Sequence, residues 1–218
     1  MNKSLLGGLA LLCAALSGAA VAGDIRATLR DQKGQPVEDA VVLAMPQDRA
    51  AFAAAKPVRS VVDQVDREFV PYVRAIYVGT SVFFPNKDNI RHHVYSFSPA
   101  KKFELPLYSG STAPPVQFDK PGVVVLGCNI HDWMIGYIYV ADTPFFAKSE
   151  KDGQALLENL PPGEYQLRVW HPDLAQNEQA TVQRLSLGDK PAQANWSLTL
   201  KPSFRIPRPA GGHGAGYR

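Results

Sequence analysis

Cys128, His131 and Met134 recur at intervals of three in Cys128-Asn129-Ile130-His131-Asp132-Trp133-Met134. That spacing puts a thiol, an imidazole and a thioether on one short loop. Two more imidazoles stand upstream, in Arg91-His92-His93-Val94. Two His, one Cys and one Met are the donors that hold copper in a trigonal His2Cys plane with a long axial Met. Soft sulfur favours Cu(I) and imidazole suits copper in both oxidation states, so one cage serves both. The chemistry implied is single-electron transfer. The sequence offers no nucleophile and no acid–base pair, and one mononuclear site lacks the further coppers an oxidase needs. The chain therefore reads as a carrier and not an enzyme.

Strands must position these donors. Short β-branched or aromatic runs alternate with Gly, Pro, Asn and Asp, which predicts an all-β chain. Strands are expected over Asp24–Arg30, Ala40–Met45, Ala75–Val78, Ser81–Phe84, His93–Ser98, Gly122–Leu126 and Tyr137–Val140, then Gln154–Leu157, Gly163–His171, Ala180–Leu187 and Asn195–Leu200. One Ala-rich helix is expected over Asp48–Ala55, stopped by Pro57. Cys128 would end one strand, with His131 and Met134 on the tight loop that follows. Gly136 would let the chain enter the next strand.

The middle of the chain resembles the cupredoxin family, over about residues 60–142. The motif is carried by Gly79, Val82, Phe84, Asn86, Asp88, His92 and Val94, and then by Pro121-Gly122, Cys128, His131, Met134, Gly136, Ile138 and Val140. Its ligand loop has the short length of amicyanin. The resemblance implies a Greek-key β-sandwich with one type 1 copper on His92, Cys128, His131 and Met134. Counting from Asn86 selects His92 as the upstream ligand, whereas counting back from Tyr95 and Phe97 selects His93. Whichever does not bind would neighbour the ligand and tune the site. Asn86 and Asn129 are expected to support the ligands by hydrogen bonds. In the family, apolar groups around the exposed edge of the loop histidine receive redox partners, so Trp133 is a candidate docking residue. Partners of the class of a c-type cytochrome or a dehydrogenase are implied. Proteins labelled as methylamine utilisation proteins share this level of resemblance.

Two flanking stretches resemble halves of the carboxypeptidase regulatory-like family, a small immunoglobulin-like sandwich. The first is Ile25–Leu29, Asp31-Gln32-Lys33-Gly34-Gln35-Pro36-Val37 and Ala40–Leu43. The second is Asp152-Gly153-Gln154-Ala155 followed by Leu160-Pro161-Pro162-Gly163-Glu164-Tyr165-Gln166-Leu167-Arg168-Val169. Each half alone has too few strands to bury a face. The expected organisation is a split sandwich, 23–56 and 150–202, with the cupredoxin inserted as 57–149. Tandem domains are the rival arrangement. Trp170, Trp196 and His171 fall in the flanking module and read as structural residues.

The first residues read as a secretory signal, 1–22. Lys3 supplies the positive start, Leu5–Leu16 the apolar stretch and Ala20-Val21-Ala22 the cleavage site. Leu12 before Cys13 argues against lipidation. Removal leaves about 196 residues with Cys128 as the single cysteine, so no internal disulfide forms. An odd thiol in an oxidising periplasm suggests a metal ligand. The net charge of +3 is modest, and no basic helix suggests nucleic acid. Few Met and His residues speak against the alternative of a copper chaperone or store. A carbohydrate- or protein-binding module with an accessory copper site is the other alternative. Residues 203–218, rich in Pro, Gly and Arg, are expected to form a flexible tail in which His213 is solvated.

Overall fold

The computed structural model describes residues 22–48, 56 and 58–203. The signal-like residues up to Val21, the helix expected beyond Asp48 and the tail from Phe204, with His213, lie outside the described residues. The chain is all-β. It opens with β1 (Gly23–Asp31) and β2 (Val41–Pro46). There follow β3 (Arg59–Val61), β4 (Asp63–Val65), β5 (Glu68–Val70), β6 (Val73–Tyr77), β7 (Thr80–Phe83), β8 (His92–Ser98), β9 (Lys101–Tyr108), β10 (Val116–Phe118), β11 (Gly122–Gly127) and β12 (Ile135–Ala141). The last strands are β13 (Phe146–Lys148), β14 (Gln154–Leu160), β15 (Gly163–Trp170), β16 (Gln183–Leu187) and β17 (Ala192–Leu198). No described helix is long and apolar enough to cross a membrane.

Two sandwiches follow from the pairing. Sheets ordered β14-β1-β17 and β13-β2-β15-β16 face each other. Their core holds Ile25, Ala27 and Leu29 against Val42 and Ala44, with Tyr165, Leu167 and Val169 alternating inward from β15. Trp196 is part of this core and donates its indole N–H to Thr181 O at 2.7 Å. The second sandwich sets β10-β7-β3 against β6-β12-β11-β8-β9. Its core includes Val82, Phe84, Phe118, Val124, Leu126 and Ile138, and takes in Cys128 and Met134.

Several strands depart from expectation. β9 was hidden by Lys101, Lys102 and Pro106; it is an edge strand, where a proline disturbs no ladder on its open side. β3, β4, β5, β10 and β13 are three residues each, too short for an alternating pattern to register. The strand expected from Ala180 starts at Gln183, because Asn177 caps a 3-10 turn, accepting from Ala180 N at 2.9 Å. β13 lies inside the stretch assigned to the inserted module, yet Phe146–Lys148 pairs with Leu43–Val41 of β2. The chain is paired with the first sandwich from residue 146, four residues before the expected second half at 150.

The two sandwiches share a third apolar cluster. Val41 and Leu43 on the outer face of β2 meet Val73, Tyr139 and Ala141 of β6 and β12. β2 is thus buried on both faces, which explains its unbroken apolar run. Trp170 caps the seam, with ring centroids 5.8 Å from Tyr137 and 5.3 Å from Tyr139. The Tyr139 hydroxyl donates to Glu178 at 2.6 Å, and Arg168 pairs with Asp142 and Glu178. Burial, and then the charge of Glu178, push the Tyr139 hydroxyl far above its ordinary range, so it stays a donor. Trp170→Ala should destabilise the protein by about 2 kcal/mol. Urea unfolding would read this, with Trp170→Phe recovering part of it; equal stability of the Ala variant would exclude a packed seam.

Candidate metal centre

The upstream ligand strand is delivered by a loop that Asn86 ties shut. Its side-chain amide donates to Ile90 O at 2.8 Å and Tyr108 O at 2.9 Å, and its Oδ1 accepts Asp88 N at 2.9 Å. Asn86 therefore supports the site by holding the loop. Beneath it, the Gln64 side chain donates to Tyr108 and to Phe84 O, and Tyr108 also donates to Phe84 O. Burial, the largest influence, pushes the Tyr108 hydroxyl up to about 12.

β8 then presents His92 and His93 to opposite sides, as neighbours in a strand must. His92 is fully buried and joins Cys128 and His131 in a group whose donor atoms lie within 4.8 Å of one another. The Cys128 Sγ is 3.8 Å from His131 Nδ1, and the two imidazole rings are 5.0 Å apart. His93 points to the other face of β8, where it is buried too, with Nε2 2.8 Å from Glu104 Oε1 and its ring against Tyr95. Its contribution to the site is its backbone N–H, which bonds to Cys128.

Cys128 follows directly on β11, which ends at Gly127, and β12 begins at Ile135, one residue before Gly136. The loop between them is tight: Met134 N donates to His131 O at 2.9 Å and Ile135 N to Trp133 O at 3.0 Å. Met134 is buried in the same core cluster as Cys128. Trp133 packs on His131, with centroids 5.3 Å apart. Ile130 beside it is exposed. Asn129 is exposed, and no hydrogen bond joins its side chain to β8 among the described residues. The backbone N–H groups of His93 and Ile130 reach the sulfur instead. Gly127 is needed for a close approach, since a Cβ there would stand 2.7 Å from the Tyr95 ring.

Asp88 is a site residue that the sequence reading quoted in the motif without a role. Its Oδ2 lies 2.7 Å from His92 Nε2 and accepts Arg67 N at 2.8 Å, while Oδ1 accepts Asp66 N at 2.6 Å. Asp66 and Arg67 both hold positive φ, which aims their amides at this carboxylate. The placement of an acid four residues before His92 was the available signal.

These contacts set the charge states. Burial alone would raise the Asp88 carboxyl, but the amides of Arg67 and Asp66 together with His92 hold it below its usual range. Burial opposes protonation of His92, yet Cys128 and Asp88 outweigh it and raise the pKa. Burial likewise opposes ionisation of Cys128, and His92 with the two amides overrides it, lowering the pKa. His131 moves the other way, lowered by burial and then by His92. The pocket thus favours a thiolate. His92, with Nε2 on Asp88, directs its other ring nitrogen, Nδ1, to the Cys128 sulfur, and Nδ1 has no oxygen or nitrogen partner. A ring nitrogen beside a thiolate-favouring sulfur and a second imidazole fits a soft or borderline metal. Asp88 fixes which nitrogen of His92 is free, the acid–imidazole–metal relay.

Asp88→Ala should weaken Cu(II) binding by about 10–100-fold. Chelator competition would measure it, and unchanged affinity would show that Asp88 does not orient His92.

No family model matches the chain, and no curated protein matches it in sequence. Solved structures do match. A Cu-containing nitrite reductase (NirK) from Thermus scotoductus SA-01 is 28% identical over 45% of this chain and 27% of its own, with a TM-score of 0.37. This chain thus spans about a quarter of that reductase. A purple cupredoxin from Nitrosopumilus maritimus is 22% identical, covering 38% of this chain and 99% of its own, TM-score 0.34. An oxidised amicyanin variant is 20% identical, covering 45% and 99%, TM-score 0.35. The structural neighbours are cupredoxins at low identity.

Proposed function

We propose that this chain is an exported type 1 copper protein that passes single electrons between redox partners. The observation that carries the reading is the grouping of buried His92, buried Cys128 and half-buried His131, with Met134 buried in the core cluster that holds Cys128. His92, Cys128 and His131 would hold the metal, with Met134 as the axial donor. Bound copper would supply a Cu(I)/Cu(II) couple. The chain's own part is to hold the donors steady. Asp88 and the loop tied by Asn86 fix His92, and the backbone amides of His93 and Ile130 stabilise the thiolate. Core packing around Cys128 and Met134 excludes water, and such rigidity limits reorganisation between oxidation states.

The half-buried edge of His131, flanked by Trp133 and exposed Ile130, is the candidate docking face. A c-type cytochrome or a dehydrogenase is the proposed class of partner, and the periplasm the proposed location. β3–β12 would be a cupredoxin domain inserted into a carboxypeptidase regulatory-like sandwich; the separate sheets and cores support this reading. The first sandwich would act as a rigid mount.

The test is to load the purified chain with Cu(II) and record its visible spectrum. An intense thiolate-to-copper band near ~600 nm is expected for a His2Cys-Met site. Copper binding without such a band, or no binding, would sink the proposal.

A further inference from the structure

The hairpin of β4 and β5 stands apart within the second sandwich. Its strands pair with each other and belong to neither of the facing sheets. The hairpin nevertheless touches both segments that carry the candidate metal donors. On the His92 side, Gln64 N donates to Pro85 O and Lys87 N to Gln64 O, each at 2.9 Å, where the loop tied by Asn86 begins. The Gln64 side chain donates to Phe84 O at 2.9 Å and to the Tyr108 hydroxyl at 2.6 Å. Tyr108 lies opposite His92 in the pairing of β8 with β9, and its carbonyl holds the Asn86 amide. At the turn, the amides of Asp66 and Arg67 hold Asp88, which in turn holds His92 Nε2. On the other side, Phe69 lies against Gly136, where the ligand loop has just entered β12. A Cβ on Gly136 would stand 2.8 Å from Phe69 Cβ.

Two features of this hairpin are unfavourable for folding alone. Asp66 and Arg67 are both left-handed, at φ 53° and 62°. A two-residue hairpin turn calls for that conformation, but Gly or Asn enters it more easily than Arg. Gln64 is fully buried, and its Oε1 has no hydrogen-bond partner among the described residues. A buried amide with a bare acceptor is less favourable than an apolar side chain of similar size. Both features serve one end. The left-handed turn delivers two amides to Asp88, and the Gln64 amide ties the entry of the His92 loop to the residue opposite His92. Backbone strain held in this way is characteristic of functional sites.

We propose that the β4–β5 hairpin is a clamp that fixes His92 against Cys128, with Gln64 as its positioning residue for electron transfer. This role rests on the proposed copper centre. Gln64 touches none of the donors. It acts through Tyr108 and the loop from Phe84 to Asp88, so that His92 keeps one position when the metal gains or loses an electron. Donors held by a rigid surrounding shell tune the metal and spare it rearrangement at each transfer.

Gln64→Leu in the full chain tests the clamp. Tyr108→Phe removes the other end of the same bond, and carries the test if Gln64→Leu does not fold. In the metal-free chain, the amides of Asn86 and Asp88, which close the His92 loop, should exchange with solvent at least about tenfold faster in Gln64→Leu. The urea midpoint should stay the same or rise, because a buried polar group is lost. In the copper-loaded chain, one electron passes from a Cu(I) molecule to a Cu(II) molecule, and NMR line broadening reads the rate. This self-exchange should slow at least about tenfold. The double variant should show less than the sum of the two single effects, since both act through one bond. Unchanged amide exchange or unchanged self-exchange in the folded variant would overturn the clamp and leave the copper centre standing. Faster amide exchange in a chain whose wild type shows no thiolate-to-copper band would make the hairpin a structural clip, and overturn its role in electron transfer.

Discussion

Cys128→Ser should abolish the intense visible band and remove the stabilisation that copper gives. The hydroxyl of serine does not ionise at neutral pH and is a hard donor, whereas the site is arranged for a thiolate. The amides of His93 and Ile130 and the His92 ring all lower the pKa of the thiol, so their stabilisation of negative charge has no recipient in the variant. Without metal, the swap is small in volume and should cost about 1 kcal/mol. With copper at a thousandfold excess over Kd, the wild type gains about 4 kcal/mol that the variant lacks. Thermal unfolding with and without copper would separate the two terms. A variant that keeps the band, or the copper-dependent rise in Tm, would show that Cys128 is not a ligand.

The second large effect is on the scaffold. Gly153→Ala should destabilise the chain by about 3 kcal/mol or more. Gly153 has φ +76°, and a Cβ there would stand 2.4 Å from Leu29 O, 3.1 Å from Val37 N and 3.2 Å from Pro36 Cα. All three are backbone atoms, so no side chain can swing away. The same turn carries structural bonds, with Leu29 N donating to Gly153 O at 2.8 Å and Gly153 N to Glu150 O at 2.8 Å. Gly34→Ala is the natural control. Gly34 has the same φ but open space around it, so its loss should cost only about 1 kcal/mol. Denaturant unfolding would compare the pair. Equal costs would mean that conformation alone matters and that the close approach of β1 to this turn is not rigid.

The ligand loop was legible because it is local. Cys128, His131 and Met134 lie on one tight turn between paired strands, and donor chemistry at short spacing needs no distant contact to be read. The two half-sandwich motifs were legible for the same reason: Gly34 and Gly153 mark turns, and Tyr165, Leu167 and Val169 alternate onto one face. The side chain of Asn86 bonds to the loop backbone, at Ile90 O, Tyr108 O and Asp88 N. The amides of His93 and Ile130 that bond to the sulfur were not legible, because every residue carries a backbone amide and no side chain advertises it.

Sequence by itself determined the candidate donors, the all-β class and the strand–turn chemistry around both. These rest on residue type and short spacing, which survive any arrangement of the rest. Tertiary structure decided which of His92 and His93 stands beside Cys128 and His131. Two adjacent residues in one strand always face opposite sides, and only the register of β8, irregular between His92 and Val94 where it meets β9, sets which side is inward. It also decided the role of Asp88, whose orientation depends on amides from the turn at Asp66 and Arg67. The double burial of β2 and the position of Trp170 were decided there too, because a seam between two sheets is made by surfaces from opposite ends of the chain.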